Sequence, residues 1–394
     1  MNIFDIASFV YWVSAMIVVY AYIGFPAILA IRGALFSKRV DAEEAYPSVS
    51  VIVAAYNEED VIQNKIRNAL SLDYPPECIE IIVASDGSDD RTNELVSEFD
   101  DPRIRLLALP RMGKNLALNT AVAETKGEIL VFTDADSMLR ADAIKKLVFN
   151  FSDPSVGGVG GDYRYVGDDA EGAGERTYWD VDRMWKLFQS RGGSMTSATG
   201  QIYALRKSLF TTVPSGVTDD FFCSVQAPAS KLRLIYEPLA IAYGPTADSM
   251  ASEYARKVRV MTRGLNSVSK MRRLLNPIHY GFYSLQLFSH KILRRLIGLP
   301  LVLIFFANVL LVNEGLFYVL TLAMQTLFYV LAILGLTQRG SLGRFSKLIN
   351  LPAYYVMVNY AGLAAGVNVL RGTGYDVWKT NRAAAPESPG DNAG

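Results

Sequence analysis

The sequence predicts an α/β domain with a mostly parallel sheet, set between membrane helices. Two patterns carry that expectation. From about residue 47 to 243, short valine- and isoleucine-rich runs alternate with stretches of helical apolar spacing. Strands that return in parallel through helical crossovers produce this alternation. Outside that span, the hydrophobic residues gather at the two ends of the chain in long uncharged runs.

The first such run, residues 9–31, has no charged side chain over 23 positions, enough to cross a bilayer at about 20 residues. It lacks a basic start and a small-residue cleavage site, so residues 1–31 read as a retained membrane helix. A linker, 32–46, leads to the α/β domain, 47–250. There "SVSVIVAAYN" is a strand, and "EEDVIQNKIRNALSL" has apolar residues at helical spacing. "IEIIVASDGSDD" is a second strand with a turn, and "IRLLAL" a third. "GKNLALNTAVAETKG" is a helix closed by Gly127, and "EILVFTDAD" a fourth strand. Residues 251–295 read as interfacial amphipathic helices. Residues 296–336 hold two membrane helices split by the hinge "NEG". Residues 337–370 hold a loop and a weaker apolar run that lies along the interface or crosses as a fourth helix. The tail, 371–394, ends in low-complexity "AAAPESPGDNAG" and is expected to be partly disordered.

Lysine and arginine near the helix ends set the orientation. Arg32, Lys38 and Arg39 follow the first helix, "HKILRR" precedes the second, and Arg339, Arg344 and Lys347 follow the third. All three groups place the α/β domain in the cytoplasm. Composition excludes several classes. Lys+Arg and Asp+Glu are both 39, without the basic excess of a nucleic-acid binder. Cys78 and Cys223 form no CxxC, so neither a disulfide framework nor a zinc site is implied. His279 and His290 are the only histidines, which argues against histidine-based catalysis.

Three acidic motifs come directly after strands: "YNE", "SDGSDD" and "TDADS". In parallel sheets the carboxyl ends of the strands share one ligand-binding rim. Asp86, Asp89 and Asp90 therefore approach Asp134 and Asp136. Such carboxylates repel one another, and a divalent cation removes the conflict. All-oxygen donors without His or Cys suit Mg²⁺ or Mn²⁺, which typically hold substrate phosphates. The competing reading is that these acids only shape turns and helix caps.

"SVIVAAYNEEDVI", "VASDGSDDRT", "TDADS", "ATGQIYALRK" and "VTDDF" occur in this order. Together they resemble the membrane-bound family 2 glycosyltransferases, which include cellulose, chitin, hyaluronan and poly-N-acetylglucosamine synthases. The resemblance spans roughly residues 49–264. It implies a GT-A fold, a UDP-sugar donor, a divalent metal and inversion at the anomeric carbon. Carried over by position, Tyr56, Glu58 and Asp86 face the uridine and Lys114 approaches the nucleotide. Asp134 contacts the nucleotide and Asp136 the metal. Gly200 and Gln201 meet the acceptor sugar. Asp220 is the general base, with Asp219 next in line, and Thr218 caps their helix. Arg259 pairs with the pyrophosphate.

One departure matters. Where the family's polymerases carry Gln-x-x-Arg-Trp, this chain has Arg256 for the Gln and Val260 for the Trp. The family's Trp floors the acceptor channel. "VWKTNR" near the C-terminus resembles a gating segment of some synthases. The sequence thus implies a multi-pass bacterial inner-membrane enzyme that extends a polysaccharide, with export components or self-association as further partners. The alternative, favoured by the missing Trp and the few membrane helices, is transfer of one sugar to a lipid acceptor.

Overall fold

The computed structural model describes residues 2–165, 173–244, 250–337 and 346–373. Its centre is an eight-stranded sheet of β1 (Val49–Ala55), β2 (Ile79–Asp86), β3 (Ile104–Leu109), β4 (Ile129–Asp134), β5 (Met138–Leu139), β6 (Val156–Tyr165), β7 (Tyr203–Arg206) and β8 (Arg233–Gly244). The spatial order is β3-β2-β1-β4-β7-β6-β8-β5. The first four strands are parallel, as their apolar runs and helical connections require. All seven residues of β1 are buried, because helices cover both faces of the sheet.

The other half is mixed. β7 runs antiparallel to β4 and β6, β5 is antiparallel to β8, and β6 and β8 are parallel. β6, "VGGVGGDYRY", is too rich in glycine to read as a strand by propensity. Its glycines answer to close neighbours. A Cβ on Gly161 would lie 2.5 Å from the Ala240 carbonyl oxygen, and one on Gly160 2.7 Å from Met195 Cε.

The first long apolar helix runs further than its uncharged core. Ile3–Val19, a π-helical turn Tyr20–Gly24 and Phe25–Leu35 form one helical stretch of 33 residues. Ile3–Leu35, Leu316–Thr337 and Leu348–Leu370 are each long and apolar enough to cross a membrane. The expected second crossing is different. Gly298–Leu311 has only 14 residues, about 21 Å of helix against a hydrocarbon core of about 30 Å. It is long enough only together with Phe282–Leu293, from which it is bent by 63°. Arg294 and Arg295 lie at the bend, Arg294 turned to the α/β domain and Arg295 to the helix Met250–Lys270. Arg294 sits 4.4 Å over the Trp185 ring, and Arg295 lies against Gly264. The fourth run forms one helix, Ser346–Leu370. It packs on Leu316–Thr337 where Gly335 meets Ile349 and Ala353, the small-residue contact typical of membrane helices. The gating-like segment and the low-complexity tail lie outside the described residues.

Candidate active site

The carboxyl ends of β1, β2 and β4 meet on one rim, because their register aligns Ala54 with both Ala84 and Asp134. The segments leaving these strands differ. After β1 and β2 the acids join loops. Asn57, at φ 51°, exchanges two hydrogen bonds with Asp89: its Nδ2 donates to Asp89 Oδ1 at 2.5 Å, and Asp89 N donates to its Oδ1 at 3.0 Å. Asp90 accepts from the backbone N–H of Glu59 and of Thr92. Glu58 is buried, and its N–H donates to Thr92 Oγ1 at 2.8 Å.

Asp86 is fully buried and accepts from Met112 N at 2.7 Å, Gly113 N at 2.8 Å and Arg111 Nη1 at 2.7 Å. The Arg111 guanidinium also lies 3.2 Å from the Tyr56 ring centroid. Tyr56 and Asp86 are thus brought together, with Arg111 between them. Gly87 (φ +67°) allows this approach: a Cβ there would stand 2.6 Å from Arg111 N. Asp89 and Asp90 do not join a shared metal cluster. Among the described residues no group of three metal-ligating side chains is found. For these two acids the geometry favours the turn-and-cap reading: the Asn57 side-chain amide donates to Asp89, and backbone N–H groups donate to Asp90.

After β4 the arrangement is electrostatic. Lys114, first residue of the helix Lys114–Ala123, bridges two acids: its Nζ is 2.8 Å from Asp134 Oδ1 and 3.2 Å from Asp219 Oδ2. Gly113, at φ +94°, sets the start of that helix. Burial alone would lower the Lys114 pKa, but Asp134 and Asp219 raise it above the usual range. Asp219 and Asp220 open the short helix Asp219–Ser224. Burial pushes Asp219 up, yet Lys114 and Arg263 outweigh it and hold the carboxyl below its ordinary value. Asp220 moves the other way, raised by burial and by the adjacent Asp219 charge. Its Oδ1 accepts from Phe221 N at 2.8 Å. Thr218 does stand at the N-cap position, but its side chain makes no capping bond; it lies 3.3 Å from Ser267 Oγ.

Gly200 faces both walls. A Cβ there would be 3.8 Å from Asp134 Oδ2 and 3.8 Å from the Asp220 Cβ. On either side of it, Thr199 Oγ1 and Gln201 Oε1 are buried without a hydrogen-bond partner among the described residues. Buried polar atoms are normally paired, which sets these two oxygens apart from most of the domain's polar interior.

Sequence reasoning missed Arg111 and two further cations. Lys65 is fully buried beneath the "DAD" turn, donating to Thr133 Oγ1 at 2.9 Å and to the Ser137 carbonyl. Burial lowers its pKa to about 7, against the pull of Asp136 and Asp134. Its signal was present: Ile62, Lys65, Ile66 and Ala69 share one buried helix face. The second is Arg263, one turn beyond Arg259 on the helix Met250–Lys270. It donates to the Val217 carbonyl at 2.5 Å and to Asn115 Oδ1 at 3.2 Å. Arg259 itself is half-buried on that helix. Arg256 and Lys257 both pair with Glu253, at 2.6 and 3.0 Å.

Asp134 and Asp136 offer hard oxygen donors with no His or Cys beside them, which suits Mg²⁺ or Mn²⁺. Such an ion keeps waters and substrate phosphates as its other ligands, so one or two carboxylates suffice.

Residues 50–213 match the sequence model of glycosyl transferase family 2. They are a family 2 glycosyl transferase domain. The domain carries β1 to β4 and every candidate site residue except Asp219, Asp220 and Arg259. Relatives include the probable glycosyltransferase YdaM of Bacillus subtilis (strain 168), 24% identical over 267 residues, 61% of this chain and 63% of that protein. Another is the poly-beta-1,6-N-acetyl-D-glucosamine synthase of Staphylococcus epidermidis, 27% identical over 243 residues, 57% of this chain and 58% of that one. The chain thus spans about three-fifths of the length of these relatives. Among solved structures, a mannosyltransferase from Pyrobaculum calidifontis in complex with GDP-Man and Mn²⁺ superposes with a TM-score of 0.70 at 23% identity. That match covers 92% of this chain and 99% of that one, so the GT-A fold of the family 2 domain extends here with its flanking helices.

Proposed function

We propose that this chain is a metal-dependent, inverting glycosyltransferase of the bacterial inner membrane, with its catalytic domain in the cytoplasm. It moves a hexose or N-acetylhexosamine from a UDP-sugar to a growing polysaccharide. One observation carries the reading. Gly200 stands between Asp134 on the donor side and Asp220 on the acceptor side, 3.8 Å from Asp134 Oδ2 and from the Asp220 Cβ as measured from the Cβ it lacks. An acceptor hydroxyl would lie between these two carboxylates, beside Gly200 and Gln201. Its proton passes to Asp220 as its oxygen attacks the anomeric carbon from the side opposite the leaving diphosphate. The raised pKa of Asp220 suits a general base. Tyr56 receives the nucleobase; Asp86, expected to face it directly, is instead fully buried and shapes that pocket by holding Arg111, Met112 and Gly113, and Glu58 supports that loop. Lys114 and Arg259 meet the phosphates. Asp136, with Asp134 beside it, would hold the ion, which supplies charge neutralisation to the departing diphosphate.

A second reading is transfer of one sugar to a lipid acceptor. Position 260, where a polymerase's channel needs an aromatic floor, is a valine that is 42% exposed. The test of both is purified protein in detergent with UDP- and GDP-sugars, following nucleotide release and product mass. A ladder of masses is expected for a synthase and a single addition to lipid for the second reading; no nucleotide release with any donor would overturn both. Turnover should stop in EDTA and return with Mn²⁺ or Mg²⁺, except in Asp136→Ala. Cysteine placed at Lys38 should resist labelling from outside intact cells, whereas labelling there would reverse the orientation.

A further inference from the structure

A cavity of about 320 Å³ lies where the first membrane segment enters the α/β domain, within the ~300–1,000 Å³ range of small-ligand sites. None of its lining residues is a candidate active-site residue. Arg32, Lys38, Lys231, Arg233 and His279 line it, and among the described residues none of its lining side chains is acidic. Arg233 is spent on structure, donating to the carbonyls of Lys38, Arg39, Ser190 and Gly193. Arg32 is laid 4.3 Å over the Phe282 ring. Lys231, at φ 64°, donates to the His279 carbonyl and lies 4.1 Å over Tyr280. Four arginine and lysine side chains therefore converge on one hollow with no countercharge in its walls.

The surroundings say what supplies that countercharge. Leu35 and Phe36, just after Arg32, are 72% and 60% exposed, and Ile278, beside His279, is 89% exposed. Bare apolar side chains next to a basic hollow, at the end of a 33-residue apolar helix, match the boundary between acyl chains and headgroups. We propose that this cavity binds the phosphate of an anionic membrane lipid and so fixes the catalytic domain against the cytoplasmic leaflet. The proposal rests on the reading that Ile3–Leu35 crosses the bilayer; that reading fails in the labelling experiment, whereas this one fails in a titration.

Full-length protein in a neutral maltoside detergent is titrated by microscale thermophoresis with dihexanoyl phosphatidylglycerol, dihexanoyl phosphatidylcholine and inorganic phosphate. Phosphatidylglycerol should bind more tightly than phosphatidylcholine. Each lysine removed should weaken it about fivefold, and Lys38→Gln with Lys231→Gln about 25-fold. Lys38→Glu, at an exposed linker position, should match the double variant and guards against misfolding of the latter. Lys126→Gln, an exposed lysine outside the cavity, should leave affinity unchanged. Phosphatidylglycerol binding that inorganic phosphate fails to displace identifies the lipid as the source. Displacement by inorganic phosphate supports the same anion site with free phosphate as its occupant. Equal affinity for the two lipids, or wild-type affinity in both lysine variants, would overturn the proposal.

Discussion

Two acidic clusters share one rim of this sheet and do opposite work. In "SDGSDD", after β2, the acids are consumed by hydrogen bonds: Asp86 by Arg111, Met112 and Gly113, and Asp90 by Glu59 and Thr92. Around "TDADS" and "VTDDF", Asp134 and Asp219 share a single lysine, and Asp220 is left with an adjacent like charge. A carboxylate filled by backbone N–H groups builds structure. One crowded by other carboxylates keeps the freedom to change its proton or its ligand, which chemistry needs.

The sharpest way to test this contrast is Asp220→Asn, which keeps the shape and removes the base. It should lower kcat at least about a hundredfold, with UDP affinity nearly unchanged, because general-base catalysis typically contributes ~10²–10⁴. The pH profile separates Asp220 from its neighbour. A base must be ionised to work, so wild-type kcat should fall as pH drops through the raised Asp220 pKa, and the little activity left in Asp220→Asn should not show that limb. Asp219 is depressed, so its contribution to stability is present above its unfolded pKa and is lost as pH falls through the folded value. That loss appears in denaturation, at lower pH than the loss of turnover. If Asp220→Asn keeps wild-type turnover, the base is elsewhere and Asp219 is the next residue to test.

Lys114→Met removes the shared countercharge and leaves two partly buried carboxylates facing each other. Urea denaturation should show a loss of about 3–5 kcal/mol, the usual result of breaking a buried pair from one side. Asp86→Asn should cost about 1.5–3 kcal/mol, because it replaces charge-assisted acceptors of backbone N–H groups. Asp90→Ala is the mildest, at about 1 kcal/mol, with kcat retained. A large fall in kcat for Asp90→Ala, without loss of stability, would erase the distinction between the clusters.

Much of the fold is legible in the sequence for local reasons. β1 to β4 are continuous apolar runs with helices of the right spacing between them, so each announces itself within about ten residues. The later strands do not. β5 is two residues long, and β6 carries four glycines that only close neighbours explain: Leu209 and Leu232 at Gly157, Leu234 at Gly158, Met195 at Gly160 and Ala240 at Gly161. The second crossing departs from its sequence reading for a similar reason. The run 296–312 looks long enough by itself, but the chain bends before it, where Arg294 meets Trp185 of the α/β domain and Arg295 meets Gly264 of the helix Met250–Lys270.

In the site, "DAD" and "TDD" stand out by their spacing alone, whereas Arg263 and Lys65 resemble ordinary residues of amphipathic helices. Lys65 is recognisable in retrospect as a charge on an apolar face; Arg263 is not. The sequence alone determined the parallel half of the sheet, three of the long apolar helices and which acids lie on the rim, since these depend on periodicity and strand ends. Only the tertiary structure decided which of those acids is neutralised, consumed or left strained. Pairing and proton affinity depend on distance to groups brought in from elsewhere in the chain: Lys114 reaches Asp134 and Asp219 at once only because β4 and the helix Asp219–Ser224 converge on it.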